Sequence, residues 1–117
     1  MFEETVEEPL RRKLVAVSRQ LVALGLNRGT AGNAGVRLGE RLLVTPSGVP
    51  ADELSPEDMV ILDGQGRVLG AGRPSSEWRL HRDVLAARPE VHAVIHTHSP
   101  FATSLACLGQ DVPPFHY

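Results

Sequence analysis

At 117 residues the chain has the length of one compact domain, and 42% apolar residues can bury a core that 4% aromatics leave to Leu, Val and Ala. Its formal net charge of −2 comes from interspersed acidic and basic residues, so no basic stripe marks a nucleic-acid partner and no charge block marks a disordered tail. No run approaches the ~18 apolar residues of a membrane span, the start Met1-Phe2-Glu3-Glu4-Thr5 lacks signal-peptide features, and a single Cys107 excludes an intrachain disulfide. These features read as a cytoplasmic protein with neither nucleic acid nor membrane as partner. Cys107 itself reads as a small buried residue on a helix.

In chain order, Pro9 is expected at the first turn of a helix whose stripe is Leu10, Leu14, Val17, Leu21 and Leu24, with Gly25 as its C-terminal cap. Gly29-Thr30-Ala31-Gly32-Asn33-Ala34-Gly35 is too glycine-rich for a regular helix. Val36 to Leu38 and Leu42 to Val44 read as strands of a hairpin turning at Gly39-Glu40, and Thr45-Pro46-Ser47-Gly48 ends the second. Ser55-Pro56-Glu57-Asp58 signals a turn or helix start before a strand from Met59 to Leu62. Asp63-Gly64-Gln65-Gly66 turns into a short strand from Arg67 to Leu69. Ser75 or Ser76 could cap a helix from Glu77 to Ala87. Val91 to Thr97 reads as a strand, Pro100 opens a helix to about Leu108, and the tail through Tyr117 is extended. Strand pairs mixed with helices predict one layered α/β domain over 1–117 with a largely antiparallel sheet.

Alternation puts His92, Val94, His96 and His98 on one face of the Val91 strand. Residues i and i+2 lie ~6.6 Å apart along a strand, a span across which two imidazoles converge on one metal. His92 lies ~13 Å from His96, too far to join. Neutral imidazole is a preferred zinc ligand, yet a His-X-His pair alone is better explained by chance in a chain with five histidines. Glu77 follows two serines at a helix start, where backbone N–H groups favour anions. It reads either as a general base beside phosphate-binding Ser75 and Ser76, or as an ordinary acidic first turn. The two glycine-rich turns bring backbone amides close to a ligand, with Thr30, Asn33 and Ser47 as side-chain donors. Neither turn has the spacing of a phosphate-loop or dinucleotide fingerprint.

Taken together, Gly29-Thr30-Ala31-Gly32-Asn33, Thr45-Pro46-Ser47-Gly48, Pro74-Ser75-Ser76-Glu77-Trp78, His96-Thr97-His98 and Pro113-Pro114-Phe115-His116-Tyr117 resemble, in order and spacing, the class II aldolase/adducin family, most of all its bacterial aldolases of L-fuculose phosphate. The resemblance runs from about Leu10 to Tyr117. It implies a three-layer αβα sandwich with an antiparallel central sheet, incomplete at its C-terminus, and a homotetramer with active sites at subunit interfaces. It implies Zn2+ held by His96, His98 and a third histidine downstream of Tyr117. It implies Glu77 as the catalytic carboxylate that can also touch zinc, and Asn33, Ser47, Gly48, Ser75 and Ser76 as contacts to the phosphate of a small sugar. Tyr117 resembles a proton donor that acts across a subunit boundary.

The implied reaction is a metal-assisted retro-aldol cleavage of a short ketose 1-phosphate to dihydroxyacetone phosphate and an aldehyde. Similar relatives include methylthioribulose-phosphate dehydratases, ribulose-phosphate 4-epimerases (which tend to carry aspartate at the Glu77 position) and non-enzymatic adducin-like interaction domains. Two departures stand out. The sequence stops before any third zinc histidine, as an N-terminal portion of a longer family member does, and Gly35 stands where the family often has serine, which weakens at most one loop contact.

Overall fold

A computed structural model describes residues 2–112. Helix α1 (Phe2–Ala23) is followed by strands β1 (Asn33–Leu38) and β2 (Arg41–Val44), two short 3-10 turns (Ala51–Glu53, Pro56–Asp58), and strands β3 (Val60–Leu62) and β4 (Val68–Leu69). Helix α2 (Trp78–Ala87), strand β5 (Ala93–His96) and helix α3 (Pro100–Cys107) complete the order. The strands form one antiparallel sheet in the order β4-β3-β2-β1-β5.

Period-two alternation divides the core between the two faces of this sheet. Ala34, Leu38, Leu43 and Ile61 pack with Leu14 and Val15 of α1. Leu42, Val44, Val60 and Leu62 pack with Leu85 of α2. Helices on opposite faces make the expected αβα layering. Leu43, Val44, Val60 and Leu62 have no exposed surface, and each such side chain contributes about 1.5–3 kcal/mol on burial. The central strands therefore carry most of the stabilisation and form a rigid floor for the loops at their ends.

Several local expectations are revised. Pro9 lies inside α1 rather than opening it. Val6 and Leu10 both pack on the core, and ion pairs Glu7–Arg11 and Glu8–Arg12 run across the proline, so packing outweighs the one backbone hydrogen bond that proline removes. Neither Ser75 nor Ser76 is the N-cap of α2: Glu77 occupies that position, and the Ser75 hydroxyl accepts the Glu77 N–H at 3.2 Å. The strand expected from Val91 to Thr97 is paired only over Ala93–His96. Cys107 is exposed, not buried, because α3 has no buried residue and its Phe101 is 87% exposed.

Arg37 ties β1 to the far end of α2. Its guanidinium donates to the carbonyls of Leu85 (2.8 Å), Arg88 (3.3 Å) and Val91 (2.8 Å), satisfying carbonyls that a helix C-terminus leaves open. Hydrogen bonds from a charged group contribute about 1.5–3 kcal/mol. Arg37→Ala should therefore lower the thermal midpoint by roughly 5–15 °C. A circular dichroism melt within about 2 °C of the parent would rule out this anchoring role.

Candidate active site

The loops at one end of the sheet enclose a cleft of about 290 Å³ lined by Thr30, Ala31, Gly32, Asn33, Pro46, Ser47, Gly48, Ser75, Ser76, Glu77 and His98. Six positions singled out from sequence as substrate or catalytic residues thus meet here: Asn33, Ser47, Gly48, Ser75, Ser76 and Glu77. His96 reaches the cleft through its neighbours. Its ring centroid lies 4.8 Å from that of His98, the two planes tilted by 47°. Tyr117 lies outside the described residues.

Backbone clips hold the loops together. The Ser47 N–H donates to the Arg73 carbonyl and the Ser75 N–H to the Thr45 carbonyl, both at 2.9 Å, beside a bridge between Pro46 and Pro74. Buried Thr45 is bonded in both directions to Ala34: its N–H donates to the Ala34 carbonyl at 3.0 Å, and its hydroxyl accepts the Ala34 N–H at 3.2 Å. Both serine-bearing turns are thereby fixed to the start of β1.

Asn27 and His81 enter the site without having been singled out in the sequence. Buried Asn27 accepts the His98 N–H on Oδ1 at 2.9 Å, and that N–H also reaches the Leu26 carbonyl at 3.1 Å. Because β5 ends at His96, these bonds rather than strand pairing set the course of the chain at His98. The Asn27 side chain fills the space where a Cβ on Gly32 (φ +81°) would stand, at 2.2–2.3 Å, so Gly32 is required both by its backbone and by its neighbour. A signal was available in the sequence, since an asparagine just past a helix end beside a glycine-rich turn is a side chain suited to bonding backbone. It has no spacing rule that distinguishes it from a solvated loop residue.

His81 has no exposed surface. Its Nε2 is hydrogen-bonded to Asn33 Oδ1, Asn33 Nδ2 lies 3.4 Å from His96 Nδ1, and its own Nδ1 is buried without a partner. A Cβ at Gly35 would stand 3.1 Å from the His81 ring. Position 35 therefore faces α2 rather than the cleft, and its glycine bears on this histidine instead of on a loop contact.

The histidine pair fits two positions of a metal's ligand set. Among the described residues no three His, Cys, Asp or Glu side chains gather to hold an ion, so the third donor is not supplied there. Glu77 is exposed at the cleft.

Burial pushes the His81 imidazolium down to about 4, helped by the nearby His96 and opposed by Glu77. The neutral ring is thus the folded form. The unfolded chain takes up a proton below about 6.5 that the folded chain refuses until about 4. The stability this group contributes is complete above 6.5 and falls as the pH drops toward 4, by an amount on the order of 3 kcal/mol. Denaturant unfolding of the parent should weaken more steeply across that window than unfolding of His81→Phe. Parallel profiles would exclude a buried neutral His81.

The Class II Aldolase and Adducin N-terminal domain profile matches residues 12–117. The chain is 56% identical over 108 residues to a 5-methylthioribulose-1-phosphate/5-deoxyribulose-1-phosphate aldolase of Rhodospirillum rubrum, covering 92% of this chain and 49% of that protein. It is 38% identical over 108 residues to the L-fuculose phosphate aldolase of Escherichia coli K12, covering 92% and 50%. Among solved structures, an L-fuculose 1-phosphate aldolase superposes with a TM-score of 0.83 at 37% identity over 92% of this chain and 52% of its own. The chain spans about half the length of the curated relatives it matches. It belongs to the class II aldolase and adducin family.

Proposed function

We propose that the chain carries the phosphate cradle, the acid–base carboxylate and two metal ligands of a zinc-dependent aldolase that cleaves a ketose 1-phosphate to dihydroxyacetone phosphate and an aldehyde. The observation that carries this reading is the convergence of Asn33, Ser47, Gly48, Ser75, Ser76, Glu77 and His98 on one cleft, with His96 and His98 ring to ring beside it.

Ser47, Ser75 and Ser76 offer hydroxyl donors to the phosphate, Gly48 allows close backbone approach, and Asn33 can add its second amide hydrogen, the one not engaged with a histidine. Their clipped loops fix the substrate's register, so that the reacting carbons are held rather than searched for. His96 and His98 would hold the metal, whereas Glu77 lines the same cleft without gathering with them as a third ligand. Bound zinc supplies Lewis-acid stabilisation of the negative charge left when the carbon–carbon bond breaks. Glu77 takes and returns the proton, a task suited to a carboxylate at the open side of the cleft. Tyr117 is proposed as the proton donor at the aldehyde end, reaching the site of a neighbouring subunit in a homotetramer.

The relatives' names divide over the sugar but agree on a ketose 1-phosphate in those compared above. The higher identity to the Rhodospirillum rubrum protein favours a 5-deoxy or 5-methylthio pentulose over fuculose phosphate.

The test is made in a polypeptide completed by the C-terminal half of the Rhodospirillum rubrum enzyme. Released dihydroxyacetone phosphate is measured with methylthioribulose, deoxyribulose and fuculose 1-phosphates in parallel. Glu77→Gln should reduce cleavage by about 10²–10⁴-fold while zinc stays bound. Undiminished turnover in that variant defeats the assignment, and loss of water without carbon–carbon cleavage would make the enzyme a dehydratase.

A further inference from the structure

We infer that His81 and Asn33 form one positioning unit behind His96, which turns the His96 ring so that Nε2, not Nδ1, is offered to the metal. The inference rests on the metal reading above and extends it from the two ligands to the residues that orient one of them.

Three observations on three elements support it. Asn33 opens β1 directly opposite His96, the last residue of β5. Its amide lies between Nε2 of His81 and Nδ1 of His96. His81 projects from α2 into the sheet with no exposed surface, its ring against Gly35 and near Leu42. A fully buried imidazole costs stability unless its polar atoms are satisfied, and here one nitrogen finds Asn33 while the other finds nothing. A purely structural position would be served better by leucine.

Asn33 occupies the Nδ1 side of His96, so only Nε2 remains for a cation. A metal-bound histidine donates its other ring N–H to a neighbouring acceptor, which fixes the ring. In the metal-holding arrangement His96 Nδ1–H donates to Asn33 Oδ1, and Asn33 Nδ2–H donates to His81 Nε2, leaving the His81 proton on Nδ1. Without metal, the amide turned by 180° keeps the same heavy-atom contacts with donors and acceptors exchanged. His81 Nε2–H then donates to Asn33, and Asn33 donates to His96 Nδ1. Each imidazole carries one ring proton in both arrangements. Asn33 alone could pivot freely between them, whereas His81, locked by its surroundings, restricts the amide to these two settings.

The test reads ring nitrogens by long-range 1H–15N correlation in the chain labelled at histidine, together with zinc affinity by chelator competition. In the metal-free parent, His96 is expected in one tautomer with its proton on Nε2. His81→Phe, similar in shape but without ring nitrogens, should turn it into a tautomer mixture and weaken zinc binding by about 10–100-fold. His81→Gln, which keeps a donor and an acceptor, should recover most of that affinity. Unchanged His96 shifts and zinc affinity in His81→Phe overturn the proposal. If that variant fails to fold, the parent decides: mixed His96 tautomers in the metal-free chain, or a zinc-loaded His81 still protonated on Nε2, overturn it equally. Should His96→Ala bind zinc as tightly as the parent, or the parent bind none, the metal reading fails. The metal-free His96 tautomer then still settles whether His81 and Asn33 orient the ring.

Discussion

The register of β1 against β5 is the constraint on which the site depends. β1 is paired on both edges, with β2 on one side and β5 on the other, and Asn33 stands opposite His96 while Gly35 stands opposite Val94. Residues opposed in an antiparallel pair share a face, so Asn33, Gly35, His96 and Val94 all look toward α2. A slip of one residue would carry His96 to the α1 face, away from His81 and the cleft. Val94, two residues before His96 on the same face, packs on the α2-side core and opposes that slip, because the slip would carry it out of that core. Apolar packing of β5 on the α2 side thus keeps His96 facing Asn33 and His81.

The distribution of buried polar side chains supports the same conclusion. Among the described residues the buried polar ones are Asn27, Thr45, Ser75 and His81, and all four stand directly behind the cleft. Asn27 holds the His98 backbone, Thr45 holds the start of β1, Ser75 holds the Glu77 amide, and His81 holds Asn33. Polar groups are costly to bury and are kept where their hydrogen bonds specify a geometry. In this chain that geometry is the position of two imidazoles, a carboxylate and two serine-bearing turns around one cleft.

At the other end of the chain, α3 has no buried residue, and Phe101, Leu108 and Val112 are exposed. The chain spans about half the length of relatives that share its fold. The candidate cleft is nevertheless assembled from contacts internal to residues 27–98, which explains how four of the short motifs keep their relative positions within this segment.

Much of this was determined by the sequence itself. Apolar alternation specified the central strands, glycine-rich stretches specified the turns, and the order of Gly-Thr-Ala-Gly-Asn, Thr-Pro-Ser-Gly, Ser-Ser-Glu and His-Thr-His specified a family and a candidate site. These are local properties, carried by propensity and by short spacing. Tertiary structure decided what depends on partners distant in sequence. Pro9 sits within α1 because Val6 and Leu10 find a core to pack on. Cys107 is exposed because no layer buries α3. Asn27 and His81 belong to the site because they meet His98 and Asn33 across 71 and 48 residues of chain. No spacing rule marks such a pairing, since an asparagine in a loop and a histidine on a helix acquire their roles only from what the fold brings against them.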